Sequence, residues 1–324
     1  MFKTVSDFDL PRFGFGEAGI RISDLINMDI IGKKYLYFII SLIIIIPGII
    51  SLFLFGLKLS IDFTGGSRIT LSFPNRVSDQ GLKDVKDILS KDKIKISTLE
   101  TSNKLLIVRT EPLSQKQHGQ LLSDFNKKFK GVKWEQFETI GPTIGKETTE
   151  NAIKAVILAS ILIVLYIAWS FRKVPKPASS FRFGVCAIIA LIHDILVVVG
   201  VFSILGHFFG IEVDSLFVTA LLTVIGFSVH DTIVVFDRIR ENLRKLNGIS
   251  FDKIVNESIL QTLARSLNTS LTVVLVLIAL LLFGGESIRW FVVVLLIGII
   301  SGTYSSIFSA SPLLVLWHEK FANR

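Results

Sequence analysis

Long apolar runs constrain this chain more than any other feature of its sequence. A helix needs about 20 mainly apolar residues to cross the hydrocarbon core of a bilayer, and six runs are long enough to be considered. The predicted spans are Tyr35–Leu57, Asn151–Phe171, Phe183–Leu205, Asp214–Phe236, Ser266–Phe283 and a sixth contained in Ile288–Trp317. Half of all residues are hydrophobic. The sequence therefore predicts an α-helical polytopic membrane protein with six transmembrane helices, embedded in a lipid bilayer.

A polar segment separates the first span from the second. Residues 58–148 alternate between strand and helix patterns in the order βαββαβ, which predicts a small α+β ferredoxin-like domain outside the cytoplasm. Ser78 and Ser114 stand where the N-caps of its two helices are expected. The other predicted segments are a cytosolic N-terminal segment at 1–34, the bundle of spans two to six at 149–318 and a cytosolic tail at 319–324.

The basic residues indicate which side of the membrane each loop occupies. The loops after spans two and four are basic and contain Arg172, Lys173, Lys176, Arg182, Arg238, Arg240, Arg244, Lys245 and Lys253. The opposite short loops, 207–212 and 284–287, contain no Lys or Arg. Because cytoplasmic loops carry an excess of these residues, both termini are predicted in the cytosol, at the cytoplasmic (inner) membrane. The same topology accounts for the formal net charge of +8, so no nucleic-acid partner is predicted.

The cysteine and histidine residues do not suggest a metal or redox site. The single cysteine, Cys186, lies in an apolar run, which excludes an intramolecular disulfide and a thiolate metal site. His193, His207, His230 and His318 lack a metal-ligand spacing such as H-E-x-x-H. We therefore predict no metal, no cofactor and no enzymatic activity.

The stretch Gly226–Asn242 places a carboxylate inside an apolar run. After Asp231 and Thr232 come four apolar residues, Ile233–Phe236, and the charge cluster begins only at Asp237. An ionisable residue inside a span is costly, and it usually faces the bundle interior or a wet cavity where it has a function. The alternative is that Asp231 lies among the lipid headgroups, at a water-facing end of its span.

Two further charged residues lie in or beside the spans. Asp194 lies inside span three and Arg265 opens span five. A rise of about 1.5 Å per residue places Asp231 and Arg265 at similar depth in neighbouring helices. An arginine favours the charged form of a carboxylate and desolvation favours the neutral form, an opposition that suits a proton relay. A static pair that only fixes helix packing is an equally good interpretation.

Other polar residues accompany this pair. Small and hydroxyl residues recur at near-helical spacing on span four: Ser215, Thr219, Thr223 and Gly226. For these we prefer close helix packing, and the alternative is a hydrated path to Asp231. Asn268 is expected to join a polar network beside Arg265, and His230 adds a second titratable group. We expect a smaller role for Asp194, because no arginine can be placed at its depth.

Three motifs, taken together, carry a family resemblance. They are Ser60–Ser67 after the first span, Ile140–Glu147 before the second, and Gly226–Asn242. With these motifs the chain resembles the SecF family, the smaller membrane subunits of the SecD–SecF accessory complex of bacterial protein export. The resemblance covers the whole chain, and the last motif is long and specific. His230 stands where the family commonly has Asn, and Ile140 replaces a common Val.

The resemblance implies a resistance-nodulation-division type membrane fold and use of the proton motive force. It implies SecD as a partner, and assistance to the SecYEG translocon in moving unfolded preprotein. It implies that Asp231 and Arg265 match the proton-relay residues of the family. The resemblance assigns no role to His230; from the residues themselves we expect Asp194, His230 and Asn268 to support the pair. It also implies hinge-like junctions at Asp62, Gly65, Gly66, Gly141 and Pro142. Without the resemblance, plain turns leaving the membrane explain the junction residues equally well.

We therefore expect a proton-driven accessory subunit of protein export. A second hypothesis is one half of a small-molecule or lipid efflux transporter with the same membrane fold, but the single small domain at 58–148 argues against it. A third is a structural scaffold with a static Asp–Arg pair. The scaffold hypothesis predicts that export survives the loss of Asp231.

Overall fold

Six helices in the structure are long and apolar enough to cross a membrane. The structure, a computed structural model, describes residues 28–322 except 93, 103, 130, 176–177 and 247. Most of the predicted cytosolic segment 1–34, and residues 323–324 of the predicted tail, lie outside the described residues. The membrane helices are α1 (Lys34–Phe55), α5 (Pro142–Ser170), α6 (Ser180–Phe209), α7 (Ser215–Lys245), α8 (Phe251–Phe283), and α9 (Arg289–Ser305) followed by α10 (Ser311–Ala322).

Several helices extend well beyond the apolar runs that predicted them. Helix α8 begins at Phe251 and α5 at Pro142, whereas the apolar stretches begin at Ser266 and Asn151. The first turns of α8 bury Phe251, Ile254 and Ile259 against the bundle. Tertiary packing of an amphipathic face stabilises these extra turns, whereas hydropathy marks only the segment that lies in lipid.

The bundle is organised around α6, α7 and the α9–α10 span, which are its most buried helices. Helices α1 and α5 lie at the periphery and expose most of their apolar surface. The core between the central helices contains Phe183, Phe202 and Phe236, all almost fully buried. Exposed apolar side chains on the outer helices are those expected of a surface that faces lipid.

The last span is interrupted by a π-helical turn. Residues Ser306–Ala310 form this turn between α9 and α10. Such turns are rare and frequently mark functional positions within helices. The turn packs against α1, α6 and α7, so it lies inside the bundle rather than at its edge.

The domain between α1 and α5 has the predicted alternation of strands and helices. After a short helix α2 (Ile61–Thr64), its elements are β1 (Gly66–Ser72), α3 (Asp79–Lys91), β2 (Ile96–Ser102), β3 (Leu105–Thr110), α4 (Gln115–Lys128) and β4 (Lys133–Ile140). The antiparallel sheet has the order β2-β3-β1-β4. The likeness to ferredoxin-like domains beyond this order stays a prediction.

The small domain has its own hydrophobic core. Residues Ile69, Val85, Leu121 and Phe125, from the sheet and both helices, are buried together. Ser78 accepts a hydrogen bond from the backbone N–H of Gly81, and Ser114 forms a capping box with Gln117. Both N-caps predicted from the sequence are therefore present.

Candidate functional site

Asp231 lies in the bundle core with an unsatisfied carboxyl oxygen. The residue is 3% exposed. Its Oδ2 has no hydrogen-bond partner within the described part of the chain. The hydroxyl groups of Ser266 on α8 and Ser306 in the π turn lie beside the carboxyl group. The Ser266 hydroxyl is itself buried and unpaired among the described residues. A buried polar atom without a partner is costly, so this carboxyl group has a local reason to change its protonation or its contacts.

Arg265 does not pair with Asp231 in this structure. Its side chain is exposed on the outer surface of the bundle, and no ion pair joins it to an acidic residue in the ranges described. The next residue, Ser266, faces inward beside Asp231 instead. The similar depth predicted for Arg265 and Asp231 agrees with that contact. Hydropathy could not show that Arg265 points away from the core, since one residue turns the helix by about 100°.

Asp194 is the most completely hydrogen-bonded side chain in the bundle core. It is fully buried on α6. Its Oδ2 accepts hydrogen bonds from the hydroxyls of Ser228 (2.5 Å) and Ser305 (2.7 Å), and its Oδ1 from Ser301 (2.7 Å). Nδ1 of His193 lies 3.0 Å from the same Oδ1. These donors can satisfy the charge of an ionised carboxylate without an arginine.

The hydroxyl environment of Asp194 could have been inferred from the serines of the last span. Ser301, Ser305 and Ser309 recur every four residues, which places their hydroxyls on one helical face. We expected a smaller role for Asp194 because only arginine was considered as its partner. In the structure, hydroxyl groups from α7 and α9 take that place.

His230 and Asn268 do not belong to this core network. Both side chains are exposed on the surface of the bundle. On α7, Thr219, Thr223 and Gly226 are exposed together with His230, and on α8 Gln261, Arg265 and Thr272 are exposed together with Asn268. The spacing of three or four residues makes each set a stripe along one side of its helix. We call these two sets the α7 stripe and the α8 stripe.

Two of the three predicted junction glycines, Gly65 and Gly66, lie in a close-packed corner, whereas Gly141 has open space around it. Gly65 and Gly66 have φ values of +69° and +122°, which favour glycine. A Cβ on Gly66 would lie 2.7 Å from the Thr110 carbonyl oxygen, and one on Gly145 would lie 2.8 Å from the Gly65 nitrogen. Pro142 begins α5 at a position where proline is preferred. Gly145 completes this corner; it lies in the motif Ile140–Glu147 but was not predicted as a junction residue.

Asp62 connects the first junction to the helix that carries Asp231. Its Oδ2 accepts hydrogen bonds from the backbone N–H (2.9 Å) and the hydroxyl (2.7 Å) of Ser215. Ser215 is the first residue of α7, so the carboxylate lies at the positive end of the helix dipole. Asp62 therefore contacts α7 directly, in addition to its place beside the turn.

One ion pair attaches the small domain to the loop between α6 and α7, and a second attaches it to the segment after α1. Arg109 on β3 pairs with Glu212 in that loop, and both side chains are nearly buried. Burial lowers the pKa of Arg109, yet arginine remains charged at any physiological pH. Lys58 and Glu100 form a second, half-buried pair. Among the residues described, no group of three His, Cys, Asp or Glu side chains could hold a metal ion.

The chain matches known proteins over nearly its whole length. Residues 120–320 match the family described as "Protein export membrane protein SecD/SecF, C-terminal", and residues 50–73 match the SecD/SecF GG motif. It is 49% identical to the protein translocase subunit SecF of Thermobaculum terrenum over 306 residues, covering 90% of this chain and 95% of that protein. It is 46% identical to the SecF subunit of Anaerolinea thermophila, covering 90% and 94%.

A solved structure shows the same fold. The crystal structure of SecDF from Thermus thermophilus, a translocon-associated membrane protein, superposes with a TM-score of 0.77 at 34% identity. The match covers 92% of this chain but 39% of that chain, so the chain spans about two fifths of the solved SecDF polypeptide. From these matches, the chain belongs to the SecF family of protein translocase subunits and is an accessory subunit of the Sec protein-export machinery.

Proposed function

We propose that this chain couples the proton motive force to protein export, and that Asp231 takes up and releases the proton. In this proposal it acts with a SecD subunit to assist the passage of unfolded preprotein through the SecYEG channel. The observation that carries the proposal is the buried, unpaired Oδ2 of Asp231 in the bundle core. No catalytic residue, cofactor or metal is part of it.

The contacts of Asp231 provide the difference in proton affinity that such coupling requires. A proton shifts a conformational equilibrium only if the two arrangements bind it with different affinity. With the present contacts, an ionised Asp231 would keep a buried oxygen without a donor, which is costly in a membrane interior. An ionised Asp231 therefore has to recruit a donor. Ser266 and Ser306 are at hand, and Arg265 lies on the same helix as Ser266.

Asp231→Asn tests the proposal, because it keeps the size of the side chain and removes the titration. The measurement is preprotein export into inverted membrane vesicles, with and without a proton gradient, at matched protein levels. We expect gradient-stimulated export to disappear while membrane insertion persists. Asp237→Asn is the matched control, since Asp237 is on the same helix but exposed. Gradient stimulation that persists in Asp231→Asn would refute the relay.

The double variant Asp231→Asn with Arg265→Gln separates a relay from a static pair. If the two residues only neutralise each other, removing both charges should restore export. A relay without a titratable group cannot cycle a proton, so we expect the double variant to stay inactive. The exposed position of Arg265 supports this expectation, because no pair exists here to be restored.

The α7 and α8 stripes support a membrane-embedded SecD partner. Polar side chains exposed to lipid are costly, and helix–helix interfaces in membranes favour small and hydroxyl residues. Gly226 and Thr223 give α7 such a face. We expect a cysteine at Thr223 in a Cys186→Ser background to cross-link to SecD in native membranes. A cysteine at Ile157, exposed on α5, should not.

In the orientation proposed from the basic loops, both termini are on the cytosolic side of the inner membrane. Lys104 lies beside β3 and Lys245 at the last residue of α7. Single cysteines introduced there in a Cys186→Ser background should differ in labelling. Position 104 should react from outside the cell, and position 245 only after permeabilisation. The reverse pattern would contradict the proposed orientation.

A further inference from the structure

Both ends of the π turn are attached to the same pair of residues on α6. At its beginning, the Ser305 hydroxyl donates to Asp194 Oδ2 at 2.7 Å. At its other end, the Ser309 hydroxyl lies 3.2 Å from the Ser41 hydroxyl, which lies 3.1 Å from His193 Nε2. The His193 Nδ1 then contacts Asp194 Oδ1 at 3.0 Å. The backbone of the turn and these hydrogen bonds together form a ring. It runs from Asp194 through Ser305, the turn, Ser309, Ser41 on α1 and His193 back to Asp194.

The donors and acceptors of this ring have one consistent direction when Asp194 is ionised. A carboxylate only accepts, so a neutral His193 must carry its proton on Nδ1 and accept at Nε2. The Ser41 hydroxyl then donates to Nε2, and the Ser309 hydroxyl donates to Ser41. Every donor in the ring then points toward Asp194. Its carboxylate is therefore the final acceptor for both ends of the π turn, directly from Ser305 and through Ser41 and His193 from Ser309.

Asp231 is in contact with the groups that this ring holds. Ser306, the first residue of the π turn, lies beside the Asp231 carboxyl group, while its hydroxyl donates to the Thr303 carbonyl at 3.1 Å. Ser228, another donor to Asp194, lies three residues before Asp231 on α7, so the two side chains share a helical face. The position of Asp194 thus sets the position of the π turn, and the π turn presents Ser306 to Asp231.

We propose that Asp194 is a positioning residue for Asp231, acting through the π turn that it anchors with His193. This inference rests on the proposed function, since it concerns how the proton site at Asp231 is kept in place. The turn is the element of the last span whose helical hydrogen bonding is already altered. Loss of an anchor therefore displaces Ser306 before it displaces the regular helices on either side.

Two serines that both donate to Asp194 provide a matched comparison. Ser305 directly precedes the π turn, whereas Ser301 donates from regular helix α9. Ser305→Ala and Ser301→Ala each remove one hydroxyl and one hydrogen bond to the same carboxylate. Asp194→Asn removes the common acceptor, and Ser309→Ala removes the far attachment. All four are made in the full chain, expressed with SecD in native membranes.

The first measurement is hydrogen exchange of peptides that cover residues 303–315 in the membrane-reconstituted protein. We expect about tenfold faster exchange in Ser305→Ala and Asp194→Asn, the change that corresponds to one lost hydrogen bond to a charged group. A smaller increase is expected in Ser309→Ala, because the Ser309 hydroxyl is connected to Asp194 only through Ser41 and His193. Ser301→Ala should leave this peptide unchanged. Equal exchange in Ser301→Ala and Ser305→Ala would overturn the inference.

The second measurement is the pH profile of gradient-stimulated export. We expect Ser305→Ala to shift the pH of half-maximal stimulation by about one unit, because displacing Ser306 changes the polar surroundings of Asp231 by about as much as one hydrogen bond, and one pH unit corresponds to that free energy. Ser301→Ala should keep the parent profile. A purely structural role of Asp194 would lower export in all variants at every pH without moving the midpoint, and this result would also overturn the inference.

The two measurements test the inference and the proposed function separately. If Asp231→Asn retains gradient stimulation, the proposed function is wrong and the pH profile loses its meaning. The exchange measurement then decides alone whether Asp194 anchors the π turn. Fast exchange in Ser305→Ala together with an unshifted pH midpoint would retain the anchor and refute its effect on Asp231.

Discussion

Gly48→Ala should separate α1 from α6 and destabilise the bundle. The buried residues of α1 are Ser41, Gly48 and Ser51, so this helix packs through small side chains. A Cβ on Gly48 would lie 2.8 Å from the Cα of Gly200, whereas carbon atoms in contact are about 3.5–4.0 Å apart. The helices would have to separate by roughly 1 Å.

The separation would also break hydrogen bonds next to the glycines. Ser51 and Ser203 are joined by a 2.9 Å hydrogen bond between hydroxyls, and an added 1 Å exceeds the usual limit of about 3.5 Å. Overpacking of this kind costs about 1–3 kcal/mol. With a sensitivity of about 2–4 °C per kcal/mol for larger domains, the apparent melting temperature should fall by about 2–12 °C.

The assay is thermal denaturation of the purified chain in one fixed detergent. Gly184→Ala is the control, because its Cβ would meet only Ile167 Cγ2, at 3.8 Å, which is an ordinary contact. Both substitutions exchange glycine for alanine inside an apolar helix, so helix propensity cancels. Equal melting temperatures for Gly48→Ala and Gly184→Ala would refute the argument that direct backbone contact holds α1 on α6.

Two further predictions concern the attachment of the small domain. Glu212→Gln leaves Arg109 nearly buried without its partner, which should cost about 3–5 kcal/mol and speed hydrogen exchange in the 205–215 loop. Glu100→Gln breaks the half-buried pair with Lys58 and removes a weaker charge interaction with Arg109, so it should cost less than Glu212→Gln, about 1 kcal/mol. Gly66→Ala should lower the free energy of unfolding by about 1–3 kcal/mol. Its φ is +122°, and the Thr110 carbonyl leaves no room for a Cβ atom. Gly141→Ala, at a position with φ of −65° and free space around it, should be tolerated.

The fold class could be predicted because its signals are local. Six apolar runs, a polar segment with alternating patterns and two serine N-caps specify membrane helices and a small α+β domain without any long-range contact. Boundaries were less predictable. The first turns of α8 are held by packing of Phe251 and Ile259, and hydropathy averaged over the run cannot detect that face. The π turn has no local signal that we can identify in Ser306–Ala310.

The candidate site was predicted in part. Sequence reasoning placed Asp231 within a span, and the structure buries it among α8 and the π turn. It could not decide the rotation of α8, which turns Ser266 inward and Arg265 outward. The contacts of Arg109 with Glu212 join residues that are far apart in the sequence, and no spacing rule indicates such a pair.

The two buried carboxylates, Asp194 and Asp231, differ in how completely they are hydrogen-bonded. Asp194 accepts hydrogen bonds from the hydroxyl groups of Ser228, Ser301 and Ser305. Asp231 has a carboxyl oxygen without a donor, and its neighbours are hydroxyls that can turn toward or away from it. A group that must gain and lose a proton requires incomplete satisfaction in at least one state, because a fully satisfied charge has no reason to change. In the proposed mechanism, Asp194 keeps the hydroxyl groups beside Asp231 in place. Serine, with its single rotatable hydroxyl, can act either as a fixed donor to Asp194 or as a group that turns toward Asp231.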